Sequence, residues 1–326
     1  MADLGRLKGG KFVIIGRAGM DFYPDPPGTK TEHATQFFAC LGGSSANIGV
    51  AITRLGGSAD LVTCVSDDAI GRFALNELDK YGIGRAHVRS VGGEARNSLA
   101  VVETTIEDHQ SVIYRNGAAD FEMTAADVEG VDYAAYSALI TTGTVFAAEP
   151  SRSAAFRGFE IAKAAGLPLI FDIDYRPYSW PSAQVAAEVY SRAGAMCDVI
   201  VGNDVEFGFM AGDYDKGLDK ARDLVARGAR IAVYKMGEKG AITITPEGEI
   251  TTGIYRTEAL KPTGAGDSFM GGFVSGLAAG QSVRDAVLQG SASAAMVVAR
   301  VGCAPAMPTR DELDQFLRDH PGASAA

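Results

Sequence analysis

Lys261-Pro-Thr-Gly-Ala-Gly-Asp-Ser268, followed by small apolar residues as far as Leu277, predicts a glycine turn that opens a helix. Small residues expose backbone N–H groups at a helix start, and these donors together with the helix dipole favour an anion. A carboxylate beside such a site would repel phosphate. Asp267 is therefore better explained as a base that takes a proton from an attacking hydroxyl while the amides stabilise a transferring phosphoryl group.

The turn from Thr263 to Asp267 also fits a glycine turn in which Asp267 only caps a helix, since Asp is common at helix starts. Two other phosphate-binding patterns are excluded. Gly5 to Lys11 has the spacing of a P-loop, but it continues into Phe12 and precedes a strand instead of following one. The sequence contains no G-x-G-x-x-G. Other segments of the sequence are therefore needed to decide whether Asp267 has a structural or a chemical role.

Working outward from this turn, short apolar runs alternate with Ala-rich amphipathic stretches of helical length. The predicted core strands are 12–15, 61–65, 138–141, 169–172, 199–201 and 231–234. The predicted helices are 46–55, 70–81, 151–165, 183–192 and 217–227. This alternation predicts an α/β fold with a doubly wound, mainly parallel sheet and helices on both faces.

Two regions interrupt the alternation, residues 28–41 and residues 95–120. The second contains two extended runs that flank the polar turn Glu107-Asp-His-Gln110 and predict a β-hairpin. Small antiparallel strands inserted here would form a lid over the carboxyl ends of the sheet strands, where ligands bind in such folds. We expect residues 1–326 to form a single domain, with lid strands inserted at about 17–41 and 95–120.

The composition argues against several classes of protein. A net charge of −10 and a pI near 5.0, without a long basic stretch, argue against a nucleic-acid binder. The four cysteines form no C-x-x-C pair, so neither a zinc site nor a disulfide framework is indicated. No apolar stretch approaches the length of a membrane span and the N-terminal segment is unlike a signal peptide, so we expect a cytoplasmic protein with no membrane partner.

A second glycine-rich helix start, Leu41-Gly-Gly-Ser-Ser-Ala-Asn47, joins an extended segment to a helix. Its glycines permit the close approach of a ligand, and the amide of Asn47 on the first turn can bond sugar hydroxyls. A capped helix start explains the same residues.

Together, Gly42-Gly-Ser-Ser-Ala-Asn47 and Thr263-Gly-Ala-Gly-Asp267 resemble the paired signatures of the ribokinase-like, or PfkB, carbohydrate kinase family. The similarity extends over nearly the whole chain and includes Asp21, the predicted hairpin, Asn203-Asp-Val-Glu206 and Lys235-Met-Gly-Glu-Lys-Gly240. Several ordered motifs are more specific than any one of them. The resemblance implies that ATP phosphorylates a sugar hydroxyl, with Mg²⁺ as cofactor.

The resemblance also implies a role for each matching residue. Asp267 would be the catalytic base, and the backbone of Gly264, Ala265 and Gly266 would form the anion hole. The substrate hydroxyls would be held by Asp21, Gly43 and Asn47. The nucleotide-binding residues would be Asn203, Lys235, Gly237, Thr263 and Ser291. Glu206 would organise Mg²⁺ through water, although the start of a solvated helix also explains its position.

Arg115, in a Tyr-Arg-Asn-Gly segment, and Arg176, in Asp-Tyr-Arg-Pro, are arginines for which a neutral-sugar kinase would have little use. A guanidinium binds a carboxylate through two hydrogen bonds, so the pair favours a sugar acid as substrate. Surface positions or salt bridges are the alternative explanation. Within the family, the two placements are similar to those of 2-keto-3-deoxygluconate kinases and, more closely, of the 5-dehydro-2-deoxygluconokinases of myo-inositol catabolism.

This closer resemblance implies phosphorylation of the C6 hydroxyl of 5-dehydro-2-deoxy-D-gluconate. The alternatives are a 2-keto-3-deoxygluconate kinase, a ribokinase or fructokinase with structural arginines, and a catalytically silent sugar- or nucleotide-binding module. Asp267 argues against the silent module, because binding alone does not require a base. Relatives often pair lid to lid, which covers exposed strand edges, so a homodimer through the lid is expected.

Lys261 and Pro262 depart from the family pattern. Many relatives have an acidic residue and Thr at these positions, and the acidic residue often helps to hold a monovalent cation. An ammonium group cannot ligate K⁺. We therefore predict that Lys261 takes over the electrostatic role of the ion near the anion hole, and that activity is largely independent of K⁺.

Overall fold

The computed structural model describes residues 3–323. Its strands are β1 Lys11–Ile15, β2 Gly19–Asp25, β3 Gln36–Gly42, β4 Ser58–Ser66, β5 Gly84–Val91, β6 Leu99–Val102, β7 Ser111–Tyr114, β8 Ala138–Thr142, β9 Leu169–Asp172, β10 Val199–Asn203, β11 Ile231–Lys235, β12 Ala241–Thr245 and β13 Gly248–Thr252. Its α-helices are α1 Ser44–Arg54, α2 Ala69–Lys80, α3 Ala125–Glu129, α4 Ser151–Ala164, α5 Ala183–Met196, α6 Asp204–Ala211, α7 Gly217–Ala226, α8 Ala265–Ala278, α9 Val283–Val298 and α10 Arg310–Asp319. No helix in this range is long and apolar enough to cross a membrane.

The large sheet contains nine strands in the described part of the chain, in the order β13-β12-β11-β10-β9-β8-β1-β4-β5. Neighbours from β11 to β5 are parallel, while β12 and β13 form an antiparallel edge. Each core strand and helix predicted from the sequence is present, with boundaries that differ by a few residues. The predicted doubly wound, mainly parallel sheet is confirmed.

Helices cover both faces of this sheet, and the side chains of β1 show how. Val13 and Ile15 pack in one buried apolar cluster with α4 to α7. Phe12 and Ile14 point to the opposite face and pack in a second cluster with α1, α8 and α9. A strand buried on both faces needs apolar residues at successive positions, which explains the short continuous apolar runs in the sequence.

A smaller sheet has the order β3-β2-β6-β7 and comes from the lid segments predicted at about 17–41 and 95–120. Strands β2 and β3 are antiparallel, β2 and β6 are parallel, and β6 and β7 form the predicted hairpin, with Val102 opposite Ser111. Several large apolar side chains of this sheet are exposed, namely Phe37, Phe38, Val112 and Tyr114.

Polar residues gather where the parallel strands of the large sheet end. Arg17 follows β1, while Asp172, Asn203 and Lys235 are the last residues of β9, β10 and β11. The carboxyl ends of parallel strands meet at one edge of a sheet, which is where open α/β folds bind ligands. This edge therefore holds the candidate functional site.

Candidate functional site

A cleft of about 940 Å³ lies at this edge, with walls from the smaller sheet and from the start of α8. The predicted site residues that line it are Asp21, Gly43, Asn47, Arg176, Asn203, Glu206, Lys235, Gly237, Thr263, Gly264, Ala265, Gly266, Asp267 and Ser291. The structure thus brings together residues that are widely separated in the sequence. Arg115 is the predicted site residue that does not line the cleft.

Asp267 lies in the first turn of α8, at the floor of the cleft. Its Oδ2 accepts a hydrogen bond of 2.9 Å from Nδ2 of Asn47, which projects from α1. Burial, reinforced by the charge of Asp174, raises the pKa of Asp267 to about 7, against the opposing effects of Asn47 and nearby arginines. A carboxylate with a pKa near neutrality, partly open to the cleft, has the properties of a general base.

The turn before α8 requires its glycine. Gly264 has a φ of +87°, and a Cβ atom at this position would lie 2.8 Å from Sγ of Cys303. The N–H groups of a first helical turn lack intrahelical acceptors, and that of Ala265 makes only a long 3.4 Å contact to the carbonyl of Pro262. The ammonium of Lys235 lies 3.8 Å from where a Cβ of Gly266 would stand. An anion at this turn would meet backbone donors and a positive charge.

Asp21 occupies the space that Gly42 leaves open, since a Cβ at Gly42 would lie 1.9 Å from Oδ1 of Asp21. Gly43 has a φ of +93°, and a Cβ there would lie 2.5 Å from the carbonyl oxygen of Arg17. These contacts explain the paired glycines. Burial raises the pKa of Asp21 to about 6, although Arg17 and Lys261 oppose the shift.

Asn203 and Glu206 form a capping box at the start of α6. The side chain of Asn203 accepts a hydrogen bond from the Glu206 N–H at 2.9 Å, and Oε2 of Glu206 accepts one from the Asn203 N–H at 2.8 Å. Oε1 of Glu206 accepts a third bond from the N–H of Tyr175 at 3.2 Å. Glu206 therefore begins a helix, but it is buried in the cleft wall and not solvated as a simple helix start would be.

Asp172 and Asp174 add two buried carboxylates beside Glu206. Burial raises the pKa of Asp172 well above its usual range, while the charge of Lys235 opposes the shift. Burial also acts to raise the pKa of Asp174, but the neighbouring Arg176 overcomes this effect and the net shift is downward. The backbone of Asp174 is in the left-handed region, with a φ of +38°.

The two predicted carboxylate-binding arginines have different surroundings. Arg176 lines the cleft, and its Nη2 lies 2.8 Å from Oδ1 of Asp174. Arg115 is buried away from the cleft lining, where it pairs with Asp120, donates to the carbonyl of Thr144 at 2.9 Å and covers the ring of Phe121. Its guanidinium is thus already held by the protein.

Besides Asp172 and Asp174, sequence reasoning missed Arg17 and His109. Arg17 lines the cleft directly after β1, and its only sequence signal was this position behind an apolar strand. His109 lies in the turn of the β6–β7 hairpin, and a hydrogen bond of 3.3 Å joins its Nε2 to Oγ1 of Thr263. This bond connects the smaller sheet to the turn before α8, a contact between residues far apart in the chain.

Lys261 is fully buried beneath the same turn. Its ammonium donates to the carbonyl of Thr263 at 2.6 Å and to that of Val297, near the end of α9, at 3.3 Å. The positive charge thus bridges two backbone oxygens, as a bound cation would.

Comparisons with known proteins agree with this geometry. The model of the pfkB family of carbohydrate kinases matches residues 10–310. The 5-dehydro-2-deoxygluconokinase of Photobacterium profundum is 35% identical over 311 residues, which cover 94% of each chain.

Two solved structures illustrate the shared fold. Aminoimidazole riboside kinase from Salmonella enterica, complexed with aminoimidazole riboside and an ATP analogue, has a TM-score of 0.79 at 25% identity, covering 94% of this chain and 99% of its own. Fructokinase from Vibrio cholerae, bound to fructose, ADP and calcium, has a TM-score of 0.83 at 25% identity, covering 95% and 99%. The chain belongs to the pfkB family of carbohydrate kinases.

Proposed function

We propose that this carbohydrate kinase transfers the γ-phosphoryl group of ATP to the C6 hydroxyl of 5-dehydro-2-deoxy-D-gluconate. The observation that carries the proposal is the Asp267 carboxylate, fixed by Asn47 in a cleft that also contains the guanidinium groups of Arg17 and Arg176. A base near a phosphate-binding turn fits phosphoryl transfer, and arginines in the cleft fit an acidic substrate. The name of the Photobacterium profundum relative supports the same substrate.

In this mechanism Asp267 accepts the proton of the C6 hydroxyl as its oxygen forms a bond to the γ-phosphorus and the bond to the leaving oxygen of ADP breaks. Asn47 orients the carboxylate through Nδ2. Its Oδ1 is buried without a partner in residues 3–323, so it is available to a substrate hydroxyl. Asp21 and the backbone of Gly43 complete the proposed hydroxyl-binding set.

The transferring phosphoryl group would lie against the N–H groups of Gly264, Ala265 and Gly266. These donors and the dipole of α8 stabilise the negative charge that the transition state spreads over the phosphoryl oxygens. The ammonium of Lys235 adds a positive charge beside Gly266. The remainder of the nucleotide would extend along the cleft wall formed by Asn203, Gly237, Thr263 and Ser291.

The residues present fit Mg²⁺ as a partner of the nucleotide. Asp172, Asn203 and Glu206 supply only oxygen ligands, as Mg²⁺ prefers, and each carboxylate oxygen of Glu206 accepts a single hydrogen bond within the described chain. Lone pairs on Glu206 therefore remain for water that would surround the ion. When bound, Mg²⁺ would neutralise charge on the phosphates.

For the carboxylate of the substrate, the proposal keeps Arg176, because it lines the cleft and is part-exposed although its Nη2 is paired with Asp174. The proposed role of Arg115 changes, because its guanidinium is held by Asp120 and the carbonyl of Thr144. We assign Arg115 to supporting the wall behind the site, where its contacts join the segment after β7 to the segment after β8.

A phosphorylation panel tests the proposal. Wild-type protein with ATP and Mg²⁺ is assayed for ADP release with 5-dehydro-2-deoxygluconate, 2-keto-3-deoxygluconate, ribose and fructose, and the product is examined by phosphorus NMR. We expect the highest kcat/KM for 5-dehydro-2-deoxygluconate and a 6-phosphate product. The second candidate is 2-keto-3-deoxygluconate, because its carboxylate would also fit Arg176. A higher kcat/KM for this acceptor would make it the substrate in place of 5-dehydro-2-deoxygluconate. A preference for ribose or fructose would overturn the sugar-acid assignment, and no turnover with any acceptor would favour a silent binding module.

A further inference from the structure

Hydrogen bonds to the backbone hold the segment that carries Arg17. The carbonyl of Arg17 accepts a hydrogen bond from the N–H of Ala46 at 3.3 Å, in the first turn of α1. The next carbonyl, that of Ala18, accepts from Nδ2 of Asn97 at 3.3 Å. Contacts from α1 and from the loop before β6 therefore hold the backbone of the segment after β1, from which the Arg17 side chain reaches Ser98.

Arg17 makes no direct ion pair in residues 3–323, although its charge acts at longer range on the carboxylates of Asp21, Asp174 and Asp267. Its side chain is only 7% exposed, Nη1 donates to the neutral hydroxyl of Ser98 at 3.0 Å, and Nε is buried without a hydrogen-bond partner in residues 3–323. No carboxylate of the described chain pairs with it within 4.0 Å. A guanidinium has five N–H donors, and burying such a charge without a partner is unfavourable.

Arg115 and Arg176, the two arginines predicted to bind the substrate carboxylate, contrast with Arg17. Arg115 is paired with Asp120, and Arg176 is paired with Asp174. Arg17 is thus the buried arginine of the cleft whose donors are least used by protein groups in the described residues, whereas Arg256, which also lines the cleft, is exposed to solvent. A ligand anion would supply the missing partner.

We propose that Arg17 is a specificity-determining residue that binds the carboxylate of the acceptor sugar through its unused N–H donors. The inference deepens the proposed function and rests on it. Arg176 would face the same carboxylate while Asp174 holds it in position. A carboxylate on the substrate would be attracted to the Arg17 guanidinium. A neutral sugar would instead leave this charge buried and unpaired, which is unfavourable, so both effects would make the enzyme prefer the acid.

The test compares two acceptors that differ only in charge: 5-dehydro-2-deoxygluconate and its C1 amide, which keeps the C6 hydroxyl. Arg17→Gln and Arg17→Lys are assayed with both, well above pH 7, so that Asp267 is ionised in every variant. Arg227→Gln, which removes an exposed arginine of the loop after α7, is the matched control. ATP binding and a thermal melt report whether each variant is folded.

Arg17→Gln is expected to raise KM for the acid by about 10- to 100-fold, to leave kcat nearly unchanged, and to leave the KM for the amide unchanged or lower, because no buried charge then stays unpaired. Arg17→Lys, which keeps the charge but loses the planar fork, should fall between Arg17→Gln and wild type. Arg227→Gln should match wild type. If Arg17→Gln affects acid and amide equally, or neither, the inference is overturned.

Two further outcomes keep the test decisive. If Arg17→Gln does not fold, Arg17→Lys and Ser98→Ala take its place in the test, since each retains a positive charge at residue 17 but changes how that charge is positioned. An unchanged preference for the acid over the amide in both variants would refute the inference. If wild type fails to phosphorylate the acid, the proposed function fails instead. Activity of wild type on the acid with an unaltered KM in Arg17→Gln would reject the Arg17 inference alone.

Discussion

At the scale of the residue, the environment of Asp267 explains how a carboxylate can serve as a base at neutral pH. Burial and the charge of Asp174 disfavour the charged form, while the Asn47 hydrogen bond and the charges of Arg176 and Arg17 favour it. These effects leave the pKa near 7, which is high enough for the group to accept a proton efficiently and low enough for a substantial fraction of it to be ionised at neutral pH.

The pH dependence of kcat/KM follows from this pKa. Because the protonated carboxyl cannot accept a proton, kcat/KM should fall as the pH decreases through about 7. Asn47→Ala removes a hydrogen bond that favours the charged form, so its acid limb should move to higher pH. Initial rates measured across the pH range at saturating ATP provide both profiles. An acid limb in the ordinary range of an exposed carboxyl would contradict the account.

The sequence allowed the prediction of those residues that belong to local motifs. Gly264 and Asp267 adjoin in a turn, and Asn203 and Glu206 have the spacing of a capping box. Arg17 belongs to no such motif, since a single arginine after a strand is common. Its significance comes from the lack of a directly paired carboxylate among residues 3–323, which only the structure shows. For the same reason, the engagement of Arg115 by Asp120 was visible only in the structure.

At the scale of the element, the burial of each strand determined whether it could be predicted from the sequence. Core strands buried on both faces have continuous apolar runs, and these were predicted. Strands β5, β12 and β13 lie at or near the edges of the sheet, and β5 and β13 are largely exposed, so they lack such runs and were not predicted. The turn before α8 was predicted from its glycines, but the burial of Lys261 beneath it was not visible in the sequence.

The position of Lys261 makes a prediction about monovalent cations. Its ammonium already bridges the carbonyls of Thr263 and Val297, so K⁺ should add little. Wild-type rates in K⁺ and Na⁺ at matched ionic strength should be equal. Lys261→Met leaves both carbonyls without this donor, so its activity should fall and recover in part with K⁺. Strong activation of wild type by K⁺ over Na⁺ would refute the prediction.

At the scale of the whole molecule, the fold brings together groups that no single segment contains. Asn47 on α1 and Asp267 on α8 meet because both helices pack on the same face of the large sheet. The smaller sheet closes over this edge and reaches Thr263 through His109. Pairing of two copies through the exposed apolar side chains of the smaller sheet stays a prediction, as does the single-domain organisation of residues 1–326.

The central claim is that Asp267 is the base of a sugar-acid kinase, and the most direct test is the turnover of Asp267→Asn with ATP, Mg²⁺ and 5-dehydro-2-deoxygluconate. Asn has nearly the same shape but cannot accept the proton, so kcat should fall by about 10²- to 10⁴-fold. ATP binding, measured by calorimetry on the same sample, should be nearly intact. Turnover close to that of wild type would contradict the claim.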